Sequence, residues 1–436
     1  MNLMTSRRRL VEHLCVSLKW AIQRWILALL VASLLLGLAA EGPPPAKLDT
    51  RVRRLVAGER FDFARWEMEA LLGKVAHLLV APQRYMHEQT RHDFSLVYLQ
   101  LVAEIQRLEW ETERAYTDPQ VQDPQAATRE RRAQLARLRE METACQPLAE
   151  AILEEQTACT LVDEGFGLLG QEFPPILSHF TPLPLMLVVS PRDHVESIFD
   201  LSLRHGLDVP HQVMIEAQVD TSFGVSSLVT GIGGMAAYPA MLLESSSLNW
   251  VADVTAHEWA HHYLTPRPLG WNYDTSPEAR TINETVASIV GKEAGRRMVA
   301  RYYPELLPPE PPSEEAEEET APSEPPAFDF RAEMRQTRVQ VDALLAQGRI
   351  EEAEAYMEER RQEFVAHGYA IRKLNQAYFA FHGAYADEPG AAGADPIGPA
   401  VQALRARSPD LHTFVARVAR VTTLAELRAL LDELER

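Results

Sequence analysis

One stretch limits the folds open to this chain more than any other. Residues 253–264 read Asp-Val-Thr-Ala-His-Glu-Trp-Ala-His-His-Tyr-Leu. His257 and His261 are four apart, so a helix brings them onto one face and to one ion. A strand would hold them about 13 Å apart, too far to share a ligand. Glu258 directly follows the first histidine, where its carboxylate reaches a water beside the ion instead of the ion itself. His262 points about 100° away from His261 around the helix and is not read as a ligand. Such a string also arises by accident, so its neighbours decide what it means.

A catalytic zinc needs three protein ligands and one open position. Thr265-Pro-Arg-Pro-Leu-Gly-Trp271 breaks the helix, and the next helical pattern covers 277–300. Glu284 lies in it with Val286, Ala287, Ile289 and Val290, which predicts a buried helix and a buried carboxylate in need of a cation. Glu278 and Glu293 keep more polar company and read as solvated. The metal set is therefore His257, His261 and Glu284, with one Zn2+ per chain.

These residues resemble the gluzincin clan of zinc metallopeptidases, the thermolysin-like group with H-E-x-x-H and a glutamate on a second helix. The resemblance spans about residues 253–295, including Asp253 one turn before the first histidine and Asn283-Glu284-Thr-Val-Ala-Ser288. It implies a zincin-like core that hydrolyses peptide bonds, with Glu258 as general base. Two features depart from the pattern. Twenty-two residues separate His261 from Glu284, slightly more than is usual, and Ser288 stands where the clan commonly carries an aspartate that orients a ligand histidine. The same site would also suit a hydrolase of another amide or ester, or survive as a structural or lost zinc site in a helical envelope scaffold.

Such chemistry also needs a donor for the tetrahedral oxyanion. Tyr263 and Tyr273 are candidates, as are Tyr378, His382 and Tyr385, which at i, i+4 and i+7 would share a helical face.

The rest of the chain reads as predominantly helical α+β. A basic tail, 1–24, precedes an apolar run, 25–40, read as a transmembrane anchor or a cleaved signal segment. That places the remainder outside the cytoplasm, with the membrane as one partner and a peptide or protein substrate as the other. Residues 41–175 form a helical region, and 176–304 the zincin-like core. Strands are expected at 183–190, 195–203, 226–230 and 235–243, while 209–219 is ambiguous between strand and helix. Residues 226–230 and 235–243 look joined by a glycine turn, and Tyr238-Pro239 assigns the second to a sheet edge open to an extended peptide. Residues 305–328, rich in Pro and Glu, read as a disordered linker, and 329–436 as a C-terminal helical region with breaks at Gly348 and Gly368. A formal net charge of −19 argues against nucleic acid. Cys15, Cys145 and Cys159 form no C-x-x-C pair, and no disulfide is expected.

Overall fold

The computed structural model describes residues 47–117, 120–308, 328–388 and 390–436. The first of two units, Met1–Leu55, is described only from residue 47 on, where it carries α1 (Leu48–Leu55). Val56–Arg436 is the second. Its helices are α2 (Phe63–Val80), α3 (Glu88–Thr117), α4 (Arg129–Leu161), α5 (Val209–Phe223), α6 (Leu248–Leu264), α7 (Pro277–Tyr302), α8 (Phe330–Ala346), α9 (Ile350–Ala366), α10 (Gln376–His382), α11 (Ile397–Ala406), α12 (Leu411–Val418) and α13 (Leu424–Leu434). Helices dominate, with small sheets, as the α+β reading expects.

The membrane expectation has to be corrected. Among the described residues no helix is long and apolar enough to cross a membrane. Residues 25–40, on which the anchor and the extracytoplasmic placement rested, lie outside the described residues, as does nearly all of the acidic 305–328 stretch.

The spine of the second unit is the pair α6 and α7. Ser247 caps α6 by accepting from Trp250 N, and Ser276 caps α7 by accepting from Ala279 N, with Pro277 in its first turn. Gly291 and Gly295 let the two helices meet backbone to backbone. A Cβ at 291 would lie 2.3 Å from Asp253 Oδ1, and one at 295 would lie 2.7 Å from Asp253 N. Two cores grip this pair. Near one end, Trp259, Tyr263, Ile282, Val286 and Val290 pack with Leu404, Leu411 and Phe414 of α11 and α12. Near the other, Val251, Ala252, Met298 and Tyr303 pack with Leu99 and Val102 of α3 and Leu153 of α4.

Two three-stranded sheets flank the spine. β4 (Leu185–Ser190) lies between β5 (Phe199–Leu203) and β6 (Ser226–Thr230), antiparallel to both. β8 (Ala240–Leu242) lies between β3 (Ser178–Phe180), its parallel neighbour, and β7 (Gly234–Met235), its antiparallel one. A two-residue ribbon, β1 (Gly167–Leu168) with β2 (Gln171–Glu172), precedes them. The expected hairpin across the glycines therefore does not form, because β6 and β7 belong to different sheets. The strand after Pro239 is central instead of marginal; the edge is β7, short and running along α6.

The C-terminal half is clamped onto the first sheet. Arg372 makes two bonds to the buried Glu216 at 2.9 and 2.5 Å, and Asn375 donates to Ser227 O at 2.9 Å. Asn375 also caps α10 by accepting from Tyr378 N. Gly348 and Gly368 end α8 and α9 at positive φ (72° and 91°), as expected of the breaks.

Candidate metal centre

His257 and His261 project from α6 towards Glu284 on α7. Their Nε2 atoms lie 3.1 Å apart, and they stand 3.5 and 3.6 Å from Glu284 Oε2. An ion bonded at about 2.0–2.1 Å to three tetrahedral ligands needs donors about 3.4 Å apart. The triangle fits. Glu284 Oε2 is buried without a hydrogen-bond partner among the described residues, as expected of an atom whose partner is a cation. Burial alone would raise the Glu284 carboxyl, but the facing His261 and His257 outweigh it and hold it well below the usual carboxylate range.

The atoms behind the ligands are placed as well. His261 Nδ1 donates to Asn283 Oδ1 at 2.8 Å, which fixes the tautomer and frees Nε2 for an ion. Tyr273, from the loop between the helices, donates its hydroxyl to the other Glu284 oxygen, Oε1. Neither contact was expected from the sequence: Asn283 stood in the clan-like motif only as the residue before Glu284, and Tyr273, read as a candidate oxyanion donor, meets Glu284 only once the loop has folded.

Glu258 is buried beside the triangle, and burial, opposed by His257 and His261, raises its pKa above the ordinary value. It is pressed against β7, where a Cβ on Gly234 would lie 2.2 Å from Glu258 Oε1. His262, turned away from the triangle, donates through Nε2 to Ala237 O at 2.8 Å and so pins the segment following β7 to α6.

No family model matches the chain, and no curated protein or solved structure matches it. The site therefore stands on its own geometry.

Of the three residues expected on one face of α10, only one reaches the centre. The helix ends at His382, so Tyr385 arrives from the turn beyond it. Ala386 N donates to Thr285 Oγ1 of α7 at 3.3 Å, which sets that turn against the spine. The Tyr385 ring faces His257 at 6.2 Å. Burial around its hydroxyl, then the charges of Glu284 and Glu258, raise its phenol well above the ordinary value, so it remains a donor. His382 lies farther out and is held neutral, burial lowering it to about 4. Tyr378 packs against His382 and Phe379, and burial raises it to about 12; it lines neither side of the cleft. Tyr263 is buried against Trp259 and Phe166, away from the ligands.

The cleft has two lobes of about 340 Å³ each, which share Ile232, Gly234, His257, Glu258, Phe381 and Tyr385. One is walled by Met186, Ile232, Met235 and Ala236, with Arg280 at its rim already paired to Asp200 at 2.5 Å. The other holds Asp253, Ser288, Lys292 and His382. Burial pushes Asp253 up to about 6, opposed by His257 and Lys292.

Proposed function

We propose that this chain is a zinc-dependent peptidase with a zincin-like core, His257, His261 and Glu284 holding one Zn2+ and Glu258 acting as general base. The observation that carries this reading is the donor triangle closing on an orphaned, buried Glu284 Oε2. The bound zinc would supply Lewis-acid polarisation of the scissile carbonyl and acidify the attacking water.

The chain's own residues account for the rest. β7 has a free edge along the cleft, suited to pairing with an extended peptide backbone. Glu258, with its raised pKa, takes a proton from the attacking water and passes it to the leaving amine as the C–N bond breaks. Tyr385, protonated and facing the same space, donates a hydrogen bond to the oxyanion. Asn283 and Tyr273 keep His261 and Glu284 in place while charge shifts at the centre.

The test pairs metal analysis of the purified chain with cleavage of a peptide library. One zinc per chain is expected, with Glu258→Gln keeping the metal and losing roughly 10²–10⁴-fold in rate. Stoichiometric zinc without cleavage of any peptide sinks the peptidase reading, and absence of zinc sinks the enzyme reading altogether.

A further inference from the structure

We propose that the Asp253 lobe binds a cationic group of the peptide, an ammonium or guanidinium next to the bond that is cut. This rests on the peptidase reading for its occupant, but not for its chemistry.

Three observations carry it. The lobe is a cavity of about 340 Å³, roomy enough for an extended lysine or arginine side chain. It shares His257, Glu258 and Tyr385 with the reacting centre, so whatever fills it belongs to the residue beside the scissile bond. Of its two carboxylates, Glu258 belongs to the reacting centre; the other, Asp253, has no hydrogen bond and no ion pair among the described residues. Lys292, the cation lining the same lobe, is already engaged. Lys292 Nζ is bound to Asp387 at 2.7 Å and also to Glu388, and Glu388 takes Arg331 as well. Three carboxylates (Asp253, Asp387, Glu388) thus face two cations, which leaves one negative charge over, on the group that lines the cavity.

A partly buried carboxylate without a partner costs stability, and a ligand cation would recover it. The opposite lobe makes the contrast. Beyond Glu258 and the His257, His261 and Glu284 triangle, its one charged wall residue is Arg280, which is neutralised by Asp200, and the wall opposite is formed by Met186, Ile232, Met235 and Ala236. The two sides of the bond therefore meet different chemistry, apolar on the Met186 side and cationic on the Asp253 side. The chain's net charge of −19 steers positively charged peptides in the same sense.

A competing role for Asp253 is to orient His257 from one turn earlier on α6. No hydrogen bond joins the two among the described residues, and the experiment separates the roles. Zinc-loaded Glu258→Gln protein is titrated with fluorescent peptides by anisotropy at pH 8. The probes carry lysine or acetyl-lysine, arginine or citrulline, each with a free or an acetylated N-terminus. The charged probes are expected to bind at least tenfold more tightly than their neutral isosteres, and Asp253→Asn in the same background to abolish the difference. The N-terminal arms report whether the cation is a side chain or the α-amine. Equal affinities for charged and neutral probes overturn the proposal, as does failure of every probe to bind. If Asp253→Asn also loses zinc, the comparison in the Asp253-containing protein decides alone. Because binding is read without turnover, a chain that binds lysine selectively yet cleaves nothing refutes the peptidase reading and keeps the lobe.

Discussion

At the scale of single residues, the site depends on neighbours that carry no chemistry themselves. Gly234→Ala would put a methyl where Glu258 Oε1 now sits, 2.2 Å away. The carboxylate has to turn aside, since backbone lies on the other side of the contact. Peptide hydrolysis should fall by about 100-fold or more while zinc content stays at one per chain; activity within threefold of the parent would show that Glu258 does not work from this position. Asn283→Ala removes the acceptor that fixes the His261 tautomer. Zinc affinity, measured by competition with a chromophoric chelator, should drop about 10–100-fold, and Asn283→Asp should restore it. An unchanged affinity would deny Asn283 that role. The convergence of the two histidines was legible because both answer to one helical period, and that of Glu284 because a carboxylate among Val286, Ile289 and Val290 is buried and needs compensation. Gly234 and Asn283 were not legible, since their importance comes from approaches between distant segments. Tyr385 was identified for the wrong reason: it was assigned to a helical face, yet α10 stops three residues short and a turn held by Thr285 delivers it.

At the scale of elements, two buried charge clusters outside the centre set how α2, α3 and α4 hold together. Lys74 of α2 bonds Glu150 at 2.6 Å and Glu154 at 2.8 Å on α4, all three nearly sequestered from solvent. Lys74→Met leaves both carboxylates buried without their cation, which should cost about 3–5 kcal/mol in denaturant melts; a loss below 1 kcal/mol would mean that water or His179 already compensates them. Glu142 on α4 behaves in the opposite sense. Burial, and then the charge of Glu244, raise it to about 7 against Arg139. A carboxyl whose folded pKa lies above its unfolded value favours the fold while it is protonated. That advantage is lost as pH rises from about 4.5 through 7. Glu142→Gln should therefore raise the Tm at pH 8, with a smaller gain at pH 5. A gain larger at pH 5 would reverse the assignment. Helix positions were legible where periodicity was strong and glycine marked the ends, as over 277–300 and at the breaks Gly348 and Gly368. β4, β5 and β6 were legible as strands, but β1, β2 and β3 were not, and the run 235–243 is broken between β7 and β8. Partners were not legible either: nothing local tells β6 to join β4 instead of β7.

At the scale of the whole molecule, the candidate metal centre sits on the pair of helices that the two cores share. α6 and α7 contribute to both hydrophobic clusters, and His257, His261 and Glu284 lie on the stretch that packs in the first of them, interleaved with Trp259, Tyr263, Ile282 and Val286. Without an ion, Glu284 is buried with one oxygen orphaned and the two histidines compete to neutralise it. Global stability should then depend on zinc through linkage, by about 4 kcal/mol when free zinc exceeds its Kd a thousandfold. In a chain of this size that corresponds to a Tm shift of several degrees between chelator-treated and zinc-saturated protein. Glu284→Gln should invert the order in a diagnostic way. Without metal it lacks the uncompensated charge and should melt above the metal-free parent. With saturating zinc it should gain little and melt below the loaded parent. Scanning calorimetry of the four samples reads both comparisons. Parent protein whose Tm ignores zinc, or a Glu284→Gln variant that responds to it as the parent does, would show that the triangle does not hold the ion. A crossing of the two pairs would locate the zinc at Glu284 without any measurement of catalysis.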